Sequence, residues 1–283
     1  MPKIHIGTSA KSIVEVTQLA AELQSRGCEV TLIHGQPSID SALDESIFTQ
    51  YLDADLLYYR SGLGDIFRSE LGSRIGDQNI INRIYLTNPY QSNKLYQALT
   101  VARCGIVIPK TVLIGGQTYD SLQSQVGETF VMKGAYGIQG KQVFLVHSTE
   151  QYVREMDSLR GEILAQELIP NTGDYRVFVI GGRVHEIFKR VPAVGSFKAN
   201  IFQGGRGETV SDDLLRERLS KIAIRAATAL SLDITGIDII EHQQTGELYF
   251  IEANVNPGWK GLDTALGCNT SAVVADWFLE RLR

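Results

Sequence analysis

A chain of 283 residues, 43% hydrophobic and 21% charged, has ordinary globular composition, with enough length for a large core in two or three lobes. Its 27 Lys and Arg against 32 Asp and Glu leave a formal charge of −5. That balance argues against a field able to track a nucleic-acid backbone, while a local positive cluster around a small anion stays open.

The first third alternates strand and helix. "KIHIG" is a short apolar strand; "KSIVEVTQLAAELQSRG" carries apolar residues at helical spacing and closes on Arg26 and a C-cap Gly27. "CEVTLIHG" and "DADLLYYRSG" are further strands, so the pattern is βαβ with a parallel sheet. "IGTSAKS" holds a single glycine, and a dinucleotide fingerprint is not expected. "YLTNPYQSNK" marks a boundary at Asn88-Pro89.

A helix, "NKLYQALTVARCG", follows, and "IVIPKTVLI" reads as strand, proline, strand. "ETFVMKGAYGIQGKQVFLV" reads as two strands joined by a glycine-rich loop, and "TEQYVREMDSL" as an amphipathic helix with Thr149 as N-cap. "EILAQELIP" is a strand turning at Pro170, and "GDYRVFVIGGRVHEIFKRV" a hairpin about Gly-Gly. A helix over "DDLLRERLSKIAIRAATALS" precedes two last strands, "ITGIDIIEH" and "ELYFIEANVNPGW", joined through "QQTG".

Antiparallel pairing of those last strands puts Asp238 opposite or diagonal to Glu252, with Asn254 on the same face. Opposed acids repel unless a cation lies between them, and hard Mg²⁺ or Mn²⁺ takes carboxylate and amide oxygens with water and phosphate. The other reading leaves both acids in solvent and makes Asn254 to Gly258 a turn. Lys133 closes an apolar strand, where its ammonium needs a partner, and Gly134, Gly137 and Gly140 let backbone approach a ligand. The spacing is not that of a P-loop. Gln166 and Glu167 stand in mid-strand; they are either outward residues of an edge strand or an edge that meets a base. Arg176 and Arg190 sit among apolar residues, which favours a fixed anion, whereas Arg183 at its turn faces solvent. The five histidines lack metal-ligand spacing, and no Ser/His/Asp or Cys/His set suggests a covalent nucleophile. Cys28, Cys104 and Cys268 lack CxxC spacing and suit a reducing, cytoplasmic setting. "MPKIHIGTSAKSIVEV" lacks the apolar core of a signal peptide, and no apolar run nears about 18 residues, so no membrane partner is expected.

From about Thr87 to Thr270 these features, in their order, resemble the ATP-grasp superfamily, and most closely its ribosomal-protein-S6-modifying type of α-L-glutamate ligase. "NPYQSNKLYQAL" is similar to the segment whose lysine, here Lys94, reaches ATP phosphate. "FVMKGAYGIQGKQV" resembles the second ATP lysine, Lys133, with the mobile glycine loop. "QELIPNTGDYRVFVIGGRV" is similar to the adenine hinge, Gln166 and Glu167 to Ile169 through Leu168, followed by Asp174 and Arg176. "KRVPAVGSFKANIFQGG" supplies Arg190 and Asn200, and "GIDII…YFIEANVNPGWKG" the metal ligands Asp238, Glu252 and Asn254.

The resemblance implies an α/β chain of the α+β ATP-grasp kind. An N-terminal parallel α/β lobe, 1–86, would precede a central subdomain with the glycine loop, 87–165, and a C-terminal subdomain with the metal site, 166–283, the last two sandwiching ATP. Residues 1–86 fit by pattern only. The implied reaction joins a carboxylic acid to an amine through an acylphosphate, with ATP and two Mg²⁺ or Mn²⁺ ions. Arg190, Lys133 and Arg176 would be catalytic, and the substrate a small amino acid or a peptide or protein terminus, glutamate first. A homo-oligomer is compatible with all of this. Two other readings are a small-molecule kinase on the same scaffold and a nucleotide-binding module without catalysis.

Overall fold

The computed structural model describes residues 1–9, 13–34, 45–60, 65–136, 142–192 and 206–283. In the first lobe, β1 (Lys3–Thr8), β2 (Glu29–His34), β3 (Leu56–Arg60) and β4 (Ile80–Ile81) form a parallel sheet in the order β2-β1-β3-β4. Helices α1 (Val14–Ser25), α2 (Glu45–Leu52) and α3 (Asp65–Arg74) cover it. Strand alternation divides the apolar residues between two faces. Ile4, Ile6, Leu56 and Tyr58 pack towards α1, whereas Leu57 and Tyr59 pack against Phe48, Tyr51 and Phe67. Helix α1 ends as its sequence implies, at Arg26, with Gly27 at φ +81°.

After α4 (Arg83–Thr87) and α5 (Lys94–Arg103) comes an antiparallel sheet, β5 (Thr111–Leu113), β6 (Phe130–Gly134), β7 (Val143–Val146) and β8 (Ile163–Glu167), ordered β5-β8-β6-β7. Helices α6 (Tyr119–Val126) and α7 (Thr149–Ser158) pack on it through Leu122, Val126 and Tyr152. Two expectations change here. Only the second half of "IVIPKTVLI" is a strand. The N-cap of α7 is Ser148, whose side chain accepts from the Gln151 N–H, so Thr149 is the first helical residue.

The third sheet is antiparallel, β11-β10-β9-β12-β13, from β9 (Asp174–Ile180), β10 (Arg183–Val191), β11 (Arg206–Thr209), β12 (Ile234–Glu241) and β13 (Leu248–Asn254). One face takes α8 (Asp213–Ala229) through Leu219, Ala223 and Ala226, with Val101 of α5 beside them. The other face, through Phe178, Ile180 and Ile234, meets Trp259 and the last two helices, α9 (Lys260–Leu266) and α10 (Thr270–Arg281). Val274 and Phe278 of α10 share that core with Ile4, Ile6 and Tyr58 of the first sheet. The end of the chain therefore forms a layer between the first and third sheets.

Candidate active site

Two backbone bonds bring the lysines together. The Lys94 N–H, opening α5, donates to the Ala135 carbonyl at 2.9 Å, and Ala135 N–H donates to Glu162 O at 2.9 Å. Asn93 caps α5, accepting from Leu95 and Tyr96 N–H, and its amide donates to Glu162 Oε2 at 2.6 Å. Lys94 Nζ then reaches Glu252 Oε2 at 3.3 Å. Lys133 is buried at the end of β6, and its Nζ donates to Gln166 Oε1 at 2.8 Å. Burial pulls the Lys133 ammonium down to about 8; Lys94 pushes the same way and Glu252 opposes.

Strand β8 is interior, with β5 on one side and β6 on the other, so neither edge reading of Gln166 holds. Its buried side chain also donates to Thr111 Oγ1 at 2.8 Å, and Gln166 thereby orients the lysine. Beyond it, Glu167 Oε2 accepts from Lys110 N–H at 3.1 Å, Leu168 is half-buried, and the Ile169 carbonyl accepts from Asn171 at 2.7 Å.

The hairpin has the expected register: Asp238 faces Glu252 and Gly236 faces Asn254, with a bulge after Asp238. Asp238 also aligns with Arg176 across β9. Its carboxylate accepts from Arg176 Nε and, at 3.0 Å, from Arg176 Nη2; Arg190 Nη2 is 2.8 Å away. Arg190 Nε donates to Asp174 Oδ1 at 2.5 Å. The fixed anions beside both arginines are thus carboxylates of the same sheet. Gly236 makes room for this, since a Cβ there would stand 2.7 Å from Arg176 Cδ. Burial opposes ionisation of Asp238, but the two guanidiniums outweigh it and hold its carboxyl low; burial pushes Asp174 up.

Asp238, Glu252 and Asn254 share one face of the hairpin and could hold a hard cation; in this structure both Asp238 oxygens meet guanidiniums, Glu252 Oε2 meets Lys94, and Asn254 Nδ2 donates to Gly236 O at 3.2 Å and Glu252 Oε1 at 3.5 Å. Among the described residues no group of three His, Cys, Asp or Glu could hold a metal by itself. An ion here would complete its shell with water and phosphate, as Mg²⁺ does when it binds through one or two carboxylates.

Gln97 was not singled out in the sequence, yet it joins the two halves of the site. Its buried amide accepts from Ala253 N–H at 2.9 Å and donates to Ala253 O at 2.8 Å and to Gln91 O at 2.9 Å. It pairs the outer edge of β13, between Glu252 and Asn254, with the helix that opens on Lys94. A signal existed: Lys94, Gln97, Ala98 and Val101 share one buried helical face. Gly137, Gly140 and Asn200 lie outside the described residues.

Residues 91–278 match the RimK-like ATP-grasp domain. The chain belongs to the RimK-like ATP-grasp family. It is an ATP-dependent carboxylate–amine ligase. It is 29% identical to a probable alpha-L-glutamate ligase of Aliivibrio fischeri (strain MJ11) over 99% of this chain and 95% of that one. A probable alpha-L-glutamate ligase of Parasynechococcus marenigrum (strain WH8102) is 36% identical over 62% of the ligase, a match that spans 38% of the relative's own length. In fold it is similar to the ATP-grasp ligase PsnB complexed with minimal precursor, Mg and ADP, with a TM-score of 0.76 at 17% identity, covering 99% of this chain and 97% of that one. No helix among the described residues is long and apolar enough to cross a membrane.

Proposed function

We propose that the ligase activates a substrate carboxylate as an acylphosphate and joins it to an amine, with glutamate, another α-amino acid or a peptide as substrate. The observation that carries this reading is the convergence of Lys94, Lys133 and the Asp238–Glu252 pair at one edge of the third sheet. The printed names of the relatives, probable alpha-L-glutamate ligases, support the amino acid.

In this mechanism the nucleophiles come from the substrates, and the protein supplies charge and position. Lys94 and Lys133 hold phosphate oxygens of ATP. Gln166 keeps the Lys133 ammonium aimed along its strand. Glu167 to Ile169 run along the adenine. Arg190 and Arg176 stand by for the charge that develops as the carboxylate takes the γ-phosphoryl group, with Asp174 steadying Arg190. Asp238, Glu252 and Asn254 would hold Mg²⁺, two ions in our reading, which supplies charge neutralisation at the phosphates. The amine then displaces phosphate and leaves an amide.

ADP release by the whole protein with Mg²⁺, ATP and a panel of amino acids and short peptides tests the proposal. Stimulation by glutamate or another amino acid, with a new amide in the mass spectrum, is the expected result. Release that no amino acid or peptide stimulates would overturn it, and a phosphorylated product stable to hydroxylamine would point to a kinase instead.

A further inference from the structure

The two lysines of the site come from different cores. Helix α5, which opens on Lys94, packs into the core of the third sheet through Val101 and is bonded to β13 through Gln97. Lys133 lies near the end of β6 in the second sheet, with β8 as its neighbour. The spacing of the two ammoniums therefore depends on how the start of α5 is fastened to the ends of β6 and β8.

Three hydrogen bonds make that fastening, and they close a ring. Two are between backbones: Lys94 N–H to Ala135 O, and Ala135 N–H to Glu162 O, both at 2.9 Å. The third runs between side chains, from Asn93 Nδ2 to Glu162 Oε2 at 2.6 Å. Backbone bonds through Ala135 alone would let helix and sheet pivot about that one residue; a second attachment at Asn93 removes the pivot. Asn93 is buried, and its Oδ1 accepts from Leu95 and Tyr96 N–H at 2.9 and 3.1 Å, so the planar amide fixes where its donor points. An N-cap needs only that oxygen, which Ser, Thr or Asp would supply as well. The amide donor is the part that capping does not explain, and it meets an ionised acceptor, which strengthens the bond. Glu162 is itself exposed, one residue before Ile163, which pairs with Gly134.

We infer that Asn93 and Glu162 form a latch that sets the spacing of Lys94 and Lys133 for the ATP phosphates, with Glu162 as a positioning residue. Both act through the backbone that carries the lysines. The inference rests on the reading above that these lysines hold phosphate oxygens.

Calorimetric titration of the whole protein with a non-hydrolysable ATP analogue and Mg²⁺, and separately with adenosine, tests this. Glu162→Ala removes the acceptor; Asn93→Asp keeps a capping oxygen and removes the donor. Each should weaken the analogue by about 3- to 10-fold, the worth of one hydrogen bond, and leave adenosine within about twofold of wild type. Glu162→Gln keeps an acceptor and should bind the analogue within about twofold of wild type. Combining Asn93→Asp with Glu162→Gln reverses the bond, the new amide donating to the new carboxylate, and should recover most of what Asn93→Asp loses. Analogue affinity within twofold of wild type in both Glu162→Ala and Asn93→Asp would overturn the latch. So would equal losses for analogue and adenosine, the mark of a merely structural role, or a double variant no better than Asn93→Asp. Lys94→Gln keeps the two readings apart. If it leaves analogue affinity unchanged, the lysine reading falls and the latch with it; if it weakens the analogue while the latch variants do not, the latch alone falls.

Discussion

Lys133 carries the clearest electrostatic consequence at the scale of single residues. Burial holds its ammonium near a pKa of about 8, against 10.5 for an ordinary lysine. Only the protonated form attracts phosphate, so ATP affinity should be flat at low pH and fall by up to about tenfold per unit above 8. Lys133→Gln should abolish that slope, which calorimetry across a pH series would read. Without ligand the sign for stability is opposite. The unfolded chain holds the proton up to 10.5 and the folded one only to about 8, so this lysine's contribution to stability rises with pH between the two. Glu252 makes a second test. Glu252→Gln removes one charge from the ion pair with Lys94 and from the candidate ion site, and should lower Mg²⁺-dependent kcat by roughly 100-fold or more at little change in melting temperature. Turnover like that of wild type would reject Glu252 as a metal ligand. The acids were legible because strand pairing is periodic and a short turn sets its register. The partners of Arg176 and Arg190 were not. A guanidinium among apolar residues announces an anion, yet nothing local says whether a phosphate or Asp238 supplies it.

At the scale of elements, the site depends on an edge strand held by a side chain. Gln97 makes both of its Ala253 hydrogen bonds from α5, so Gln97→Leu would leave a buried N–H and carbonyl unpaired. A loss of about 2–4 kcal/mol in urea denaturation is expected, with a raised KM for Mg·ATP as Lys94 and Glu252 lose their common brace. A stability change under about 0.5 kcal/mol would show that water replaces the amide without cost. The interior position of β8 has the same origin as the missed Gln97. Hydrophobic alternation tells which face of a strand is buried, whereas the neighbours on its two edges are set by chain segments far away. Thr111 and Lys133 lie 55 and 33 residues from Gln166, and only their arrival on either side turns its amide into a support for the lysine.

For the whole molecule, the first lobe is tied to the catalytic sheet at Asn82. This residue takes φ +54°, and its amide donates to Ile234 O and Val255 O while accepting from Asp233 and Ile234 N–H. Asn82→Ala should cost roughly 3 kcal/mol or more, since it strips four hydrogen bonds, three of them buried, and leaves a left-handed backbone that Ala disfavours. Because Val255 adjoins Asn254, proposed above as a metal ligand, the variant should also raise KM for Mg·ATP in steady-state kinetics. An unchanged KM would mean that Asn82 supports the fold without aligning the site.

The order of β1 to β3 and β5 to β10 with α1, α5, α7 and α8, the Asp238–Glu252 register and the lysine that closes β6 follow from the sequence itself. They depend on short-range rules: side-chain alternation, capping and the geometry of a tight hairpin. The short strands β4 and β11 and the helices α2, α3, α4, α6, α9 and α10 had no counterpart in that reading. Tertiary structure alone decided that α10 would form a layer between the first and third sheets, that Asp238 would sit between two arginines, and that Arg60 would meet Pro257 across 197 residues of chain. The physical reason is that these contacts depend on which distant surfaces bury each other. Buried polar atoms then take whatever partners that burial brings within reach.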